Sequence, residues 1–273
     1  MADYKISIIP YIESMVNQLT PLEKKVAQYF IADHESSTDF SSKAVSKRLF
    51  VSEASLTRFA KKCGFSGYRE FIYQYQESFT ESKPLPSNLM TNVFDSYQEL
   101  LNKSYSIIDQ EKIVRIIKLL LSQKRVYIYG KGSSGLVAEE MKFRFMRIGL
   151  VCEAITDNHI MQMNQVLLDE GCLVIGLSIS GQTSEVLNGL KMAKKRGSKT
   201  ILFTANQTNE ASVYCDEIQL FAIKDNLSTG NIISPQFPIL IMIDIIYAFF
   251  METNRKQRQE IWQDTFEALQ EKE

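Results

Sequence analysis

The sequence predicts an α/β protein, in which an all-α N-terminal domain is followed by a domain with a parallel β-sheet flanked by helices. Three observations predict it. The first 79 residues carry helical periodicity and no strand alternation. From Arg125 onward, short apolar runs alternate with helical patterns, the rhythm of parallel strands joined by helices. Turns rich in glycine and hydroxyl groups stand where two of those runs end. With 273 residues, 45% of them hydrophobic and 23% charged, the chain has enough apolar material for two cores.

The elements follow in order. Thr20-Pro21-Leu22-Glu23 reads as a helix start: Thr20 caps, proline suits the first helical position, and Glu23 completes a capping box. Val26, Ala27, Phe30 and Ile31 then line one face. Ser42 to Cys63 fits a helix-turn-helix. Val45 and Leu49 point inward from its first helix, the turn falls at Phe50-Val51, and Ser52 caps a second helix that buries Leu56, Phe59 and Ala60. Thr80 to Asn88 has two prolines and no apolar periodicity, which sets the expected organisation: a domain over 1–79, a linker over 80–88 and a second domain over 89–273. Helices are expected near Leu89–Lys103 and Asp109–Ser122, and strands at Val126–Tyr129, Leu150–Ala154, Leu173–Leu177, Thr200–Phe203 and Ile218–Phe221. Gly149 and Gly197 stand where helices should end. Phe237–Met251 is the most apolar run, but it falls short of the roughly 20 residues that span a bilayer and reads as a core helix. No membrane is expected as a partner.

The net charge of −1 hides a local surplus. Between Ser41 and Gln76 stand Lys43, Lys47, Arg48, Arg58, Lys61, Lys62 and Arg69 against Glu53 and Glu70 alone, a pattern that fits contact with a polyanion. The outer face of the second helix, with its cap and with Lys43, would present Lys43, Ser52, Glu53, Ala54, Ser55, Thr57, Arg58, Lys61 and Lys62 to DNA. The other reading of the same pattern is a helical bundle with a solvated basic face. Cys63, Cys152, Cys172 and Cys215 lie far apart, without metal spacing, and read as reduced thiols of a cytoplasmic protein. With His34 and His159 the only histidines, no metal site is expected, and no cofactor.

Two turns carry the chemistry of the second half. Leu177-Ser178-Ile179-Ser180-Gly181-Gln182-Thr183 closes one apolar run and opens a helical pattern, and Gly130-Lys131-Gly132-Ser133-Ser134-Gly135 does the same after another. Hydroxyls, glycines that let the backbone approach, and two helix starts with free N–H groups suit one small anion, a phosphate above all. The alternatives are plain N-caps, or, for Gly130-x-Gly132-x-x-Gly135 with Glu153 about 20 residues on, a dinucleotide fingerprint that would make an NADH-sensing redox repressor.

The run Val51-Ser52-Glu53-Ala54-Ser55-Leu56-Thr57-Arg58-Phe59-Ala60, continuing through Lys61-Lys62-Cys63-Gly64-Phe65 to Phe71, resembles the recognition-helix region of the RpiR/MurR-type transcriptional regulators. These couple an N-terminal helix-turn-helix domain to a C-terminal sugar isomerase (SIS) domain, and both halves occur here in that order. The resemblance implies a DNA-binding regulator of sugar metabolism, not an enzyme, whose SIS domain senses a phosphorylated sugar or amino sugar. It implies Ser134, Ser178, Ser180, Gly181 and Thr183 as ligand-binding residues, with Ser133 and Gln182 beside them. It further implies operator DNA as partner and a homodimer or dimer of dimers. Relatives of SIS domains isomerise sugar phosphates, and for that reading Glu139, Glu140, Glu185 and His159 are the acid–base candidates. Two positions depart from the family pattern. Phe50 stands in a turn where a small residue is usual, and Pro235 follows Ser234 where an arginine is common. Lys224–Ser234 is expected to wall the sugar.

Overall fold

A computed structural model of the chain describes residues 8–32, 39–80, 88–206, 210–222 and 233–270. They divide into two compact units, Met1–Thr91 and Asn92–Glu273. The boundary falls a few residues beyond the expected linker 80–88, of which 81–87 lie outside the described residues.

The first unit contains α1 (Ile9–Met15), α2 (Pro21–Ala32), α3 (Ser42–Leu49), α4 (Glu53–Lys62) and α5 (Tyr68–Thr80). The capping box forms: the Thr20 N–H donates to Glu23 Oε2 at 2.8 Å, and the Glu23 N–H donates to Thr20 Oγ1 at 3.4 Å. Phe30 of α2 sits at the centre of the core, with ring centroids 4.8 Å from Phe71, 5.0 Å from Tyr75 and 6.3 Å from Phe59. The Tyr75 hydroxyl donates to the Phe30 carbonyl at 3.1 Å, so the one polar atom of a fully buried ring is satisfied. Between α3 and α4 the chain turns through Phe50 in the left-handed region, φ 54° and ψ 46°, and the ring is 90% exposed. The bulky residue therefore adopts the conformation that its place in the turn demands and carries the strain.

The second unit continues with α6 (Asn88–Ile107), which begins before the boundary, then α7 (Gln110–Ser122), β1 (Arg125–Gly130), α8 (Ser133–Met146), β2 (Cys152–Ile155), α9 (Asn158–Asn164), β3 (Cys172–Leu177), α10 (Ser184–Lys195), β4 (Lys199–Thr204), β5 (Glu217–Leu220), α11 (Phe237–Glu252) and α12 (Arg255–Gln270). All five strands run parallel in the order β2-β1-β3-β4-β5. Side chains alternate between the two faces, as a pleated strand requires. Val126, Ile128, Leu173, Ile175, Ile201 and Phe203 pack with Ile113, Ile116 and Leu120 of α7, Val137 and Met141 of α8, and Met242 and Ile243 of α11. Tyr129, Val174 and Leu202 face the other way, against Met161 of α9 and Val186, Leu190 and Ala193 of α10. The second strand differs from its expected Leu150–Ala154: Val151 is 69% exposed and lies outside the ladder, which begins at Cys152. No single helix among the described residues is long and apolar enough to cross a membrane.

This strand order places the site. β1 lies between β2 and β3, so the chain steps to one side from β1 to β2 and, after crossing back, to the other side from β3 to β4, and the turns after β1 and β3 become neighbours at the carboxyl edge of the sheet. Their register, with Gly130 opposite Leu177, ends both strands at one level.

Candidate functional site

The first turn is tight. A Cβ on Gly130 would lie 2.5 Å from the Ser134 carbonyl oxygen, so only glycine lets the strand end this close to the first turn of α8. The cap residue of α8 is Gly132, which has no side chain to satisfy the helix N–H groups. Ser133 and Ser134 occupy the first two helical positions, half-buried and buried.

The second turn is built from its own hydroxyls. The Ser178 side chain, 1% exposed, donates to Thr183 Oγ1 at 2.9 Å and accepts from the Thr183 N–H at 3.3 Å. The Gly181 N–H donates to the Ser178 carbonyl at 3.1 Å, with Gly181 at φ 65°, and the Gln182 N–H donates to Ser180 Oγ at 3.2 Å. Thr183 is the cap residue of α10, yet its side chain makes no capping bond. Two helices thus start at the ends of neighbouring strands, and neither is capped by the side chain of its cap residue.

A contact between the turns shows that they face one another. Lys131 Nζ lies 2.5 Å from Glu185 Oε1, joining the loop after β1 to the first turn of α10. The lysine beside it, the Glu185 N–H and the Ser184 hydroxyl hold the Glu185 carboxyl at a pKa of about 2. Neither this ion pair nor the strap behind the second turn was expected from sequence. In that strap Asn206 Nδ2 donates to the Ser180 carbonyl at 3.0 Å and the Ala205 N–H to the Ile179 carbonyl at 3.1 Å. The signal for it is the polar pair Thr204 and Asn206 at the end of an apolar run.

Glu139, Glu140 and His159 are exposed on α8 and α9, and Glu185 is ionised far below neutrality by its lysine. The dinucleotide alternative loses its ribose contact. Glu153 is the second residue of β2, level with Tyr127 and paired with Lys142 at 2.6 Å, and so lies two residues short of the strand end where a ribose would sit. The sheet order also differs from the 3-2-1-4-5-6 order of dinucleotide folds. Of the expected wall Lys224–Ser234, residues 224–232 lie outside the described residues. Ser234 accepts from the Gln236 N–H at 3.2 Å, and with Pro235 it turns the chain into α11.

In the first unit, Ser52 caps α4 through Oγ, which accepts from the Ser55 N–H at 3.1 Å. Lys43, Glu53, Ala54, Arg58, Lys61 and Lys62 are exposed and Thr57 is half-buried. Ser55 is a correction: expected on the outer face, it is 6% exposed, and its hydroxyl is used by Ser52 at 2.8 Å and by Arg58 Nη2 at 3.0 Å. It stands four residues before Phe59, at the edge of the buried stripe of α4. Lys62 lies at the edge of the face, 2.9 Å from Glu23 of α2, and this lysine lowers the Glu23 pKa. Ser42, Glu53, Thr57 and Arg69 border a groove of about 590 Å³ beside α4.

Residues 6–82 match the helix-turn-helix domain of the rpiR family, and residues 119–234 match the SIS domain. A helix-turn-helix transcriptional regulator of Haemophilus influenzae is 28% identical over 260 residues, covering 90% of each chain. The regulator RpiR of Escherichia coli is 26% identical over 262 residues, covering 92% of this chain and 88% of that one. The Vibrio vulnificus NanR protein, complexed with ManNAc-6P, has the same fold, with a TM-score of 0.62 at 20% identity over 96% of this chain and 98% of that one.

Proposed function

The chain belongs to the rpiR family of helix-turn-helix transcriptional regulators with a SIS domain, and from this we propose that it binds operator DNA as a homodimer or dimer of dimers and releases or grips it in response to a phosphorylated sugar or amino sugar. The effector's phosphate is held by Ser133, Ser134, Ser178, Ser180, Gly181, Gln182 and Thr183. The observation that carries this reading is the pair of helix starts without a side-chain cap, α8 and α10, at the ends of β1 and β3, joined across the Lys131–Glu185 contact. A dianionic phosphate supplies acceptors to both helix ends and sits in their positive dipoles.

The pocket binds and does not turn over. Isomerisation needs a base whose pKa lies near the working pH, and Glu185 is far from it. DNA is read by α4 with Lys43, Ser52, Glu53, Ala54, Thr57, Arg58, Lys61 and Lys62, and Ser55 supports Arg58 from behind. NanR is complexed with ManNAc-6P, an amino-sugar phosphate, and here the proposed class extends to hexose phosphates.

A thermal-shift screen of hexose and amino-sugar phosphates, each beside its unphosphorylated parent, tests the reading. At least one phosphorylated compound should raise the melting temperature while its parent does not. Incubation of that compound with the protein in deuterated water should leave C1 and C2 unlabelled. Stabilisation by NADH alone, or deuterium entering the sugar, would remove the non-catalytic sensor.

A further inference from the structure

The reading face of α4 is basic except for Glu53, which is exposed at the first position of the helix. DNA phosphates repel a carboxylate, so this residue does not belong to the phosphate contacts of its neighbours. It is also not loose. The Ser42 hydroxyl, on the first residue of α3, donates to Glu53 Oε2 at 2.5 Å and ties the starts of the two helices together.

We propose that Glu53 reads a cytosine, and that Ser42 is the positioning residue that aims it; the inference rests on α4 being the DNA-reading helix. The N-terminal residues of a recognition helix are the ones that reach base edges in the major groove. An ionised carboxylate only accepts hydrogen bonds. Guanine offers it two acceptors and thymine one acceptor and a methyl group, so both are disfavoured. Adenine offers an amino donor beside the N7 acceptor, whose lone pair opposes the second carboxylate oxygen. Cytosine offers the N4 amino group without an adjoining acceptor on the same base edge. Oε1 takes that donor while Oε2 stays on Ser42.

Holding the carboxylate beforehand reduces the side-chain entropy lost on binding and keeps it turned from the phosphates. The same device recurs one turn along, where Ser55 holds Arg58. The face is thus preorganised at two readers. A purely structural Glu53, serving the helix dipole and the α3–α4 contact, would leave base preference unaffected.

The test is selection of duplexes from a random library by the full-length protein, with sequencing of the enriched pool, for wild type, Glu53→Gln and Ser42→Ala. Gln keeps an acceptor for Ser42 and the fold of the helix start, but its added donors suit adenine. Wild type should enrich one invariant cytosine in each half-site. Glu53→Gln should lower the preference for cytosine at that position by about tenfold and move it to adenine. Ser42→Ala should keep the cytosine and broaden the preference at that position alone. Enrichment of the same sequence by wild type and Glu53→Gln overturns this inference and leaves the DNA-reading helix standing. Failure of wild type to enrich any sequence overturns both.

Discussion

Ser180 and Ser178 are two residues apart but carry different burdens. The Ser180 hydroxyl is exposed and accepts from the Gln182 N–H, whereas Ser178 is buried and bonds twice to Thr183. Ser180→Ala should therefore weaken sugar-phosphate binding by about tenfold or more, the worth of a hydrogen bond to a charged group at roughly 1.5–3 kcal/mol, with the melting temperature nearly unchanged. Ser178→Ala should lose binding and stability together; calorimetry beside thermal melting separates the two. Glu185 gives a second test at this scale. Its pKa falls from 4.5 to about 2 in the fold, so the Lys131 pair helps the folded state above pH 4.5, and that help is lost as the pH falls through about 2. Carboxyl-carbon NMR should place the Glu185 midpoint near 2, and Lys131→Met should return it towards 4.5. An unmoved midpoint would show that the lysine is not its cause.

Among the described residues, the connection between α3 and α4 is the one place where a residue other than glycine takes a positive φ. Phe50 holds a left-handed conformation with its ring in solvent. Phe50→Gly should stabilise the protein by about 0.5–1 kcal/mol, the left-handed penalty less the extra chain entropy of glycine. Urea unfolding should show a higher midpoint with an unchanged slope, and a lower midpoint would mean that the ring makes a contact worth more than the strain. On α4, reversal of Arg58 and Lys61 to glutamate should weaken duplex binding and flatten its dependence on salt, because fewer counterions are released. Unchanged binding in a gel-shift titration would move the reading face elsewhere. Elements of this kind were legible in the sequence because their signals are local. Thr20 and Glu23 sit three apart, Ser52 precedes an apolar helical stripe, and the strands are short apolar runs between helical patterns. The start of β2 was not, since Leu150 is buried and apolar like a strand residue but packs on the core before the ladder begins. Ser55 was missed because it stands at the edge of the buried stripe, four residues before Phe59, where the Ser52 and Arg58 side chains bond its hydroxyl.

Across the whole molecule, what the sequence hides is contact between distant residues. Lys131 and Glu185 are 54 positions apart and meet only because β1 and β3 are neighbours in the sheet. The buried Arg258 likewise reaches back 110 positions to the Ile148 carbonyl at 2.9 Å, with its guanidinium 3.6 Å over the Phe250 ring, and nothing in the local pattern of α12 announces it. The two glycine- and serine-rich turns could be recognised singly, but their adjacency follows from strand order. In the proposed reading that adjacency lets two turns hold one phosphate, and the site acts on DNA only if the effector favours one arrangement of the reading heads over another. Coupling of this kind is typically about 1–3 kcal/mol, or roughly 5–150-fold in affinity. The most direct measurement is the affinity for a selected duplex at fixed salt, with and without the sugar phosphate found by thermal shift, in wild type and Ser180→Ala. Wild type should change its DNA affinity by that factor on adding the effector, while Ser180→Ala should match wild type without effector and fail to respond at the same concentration. An equal response from both proteins, or none from wild type when the effector is bound, would contradict a phosphosugar pocket that controls the reading of DNA.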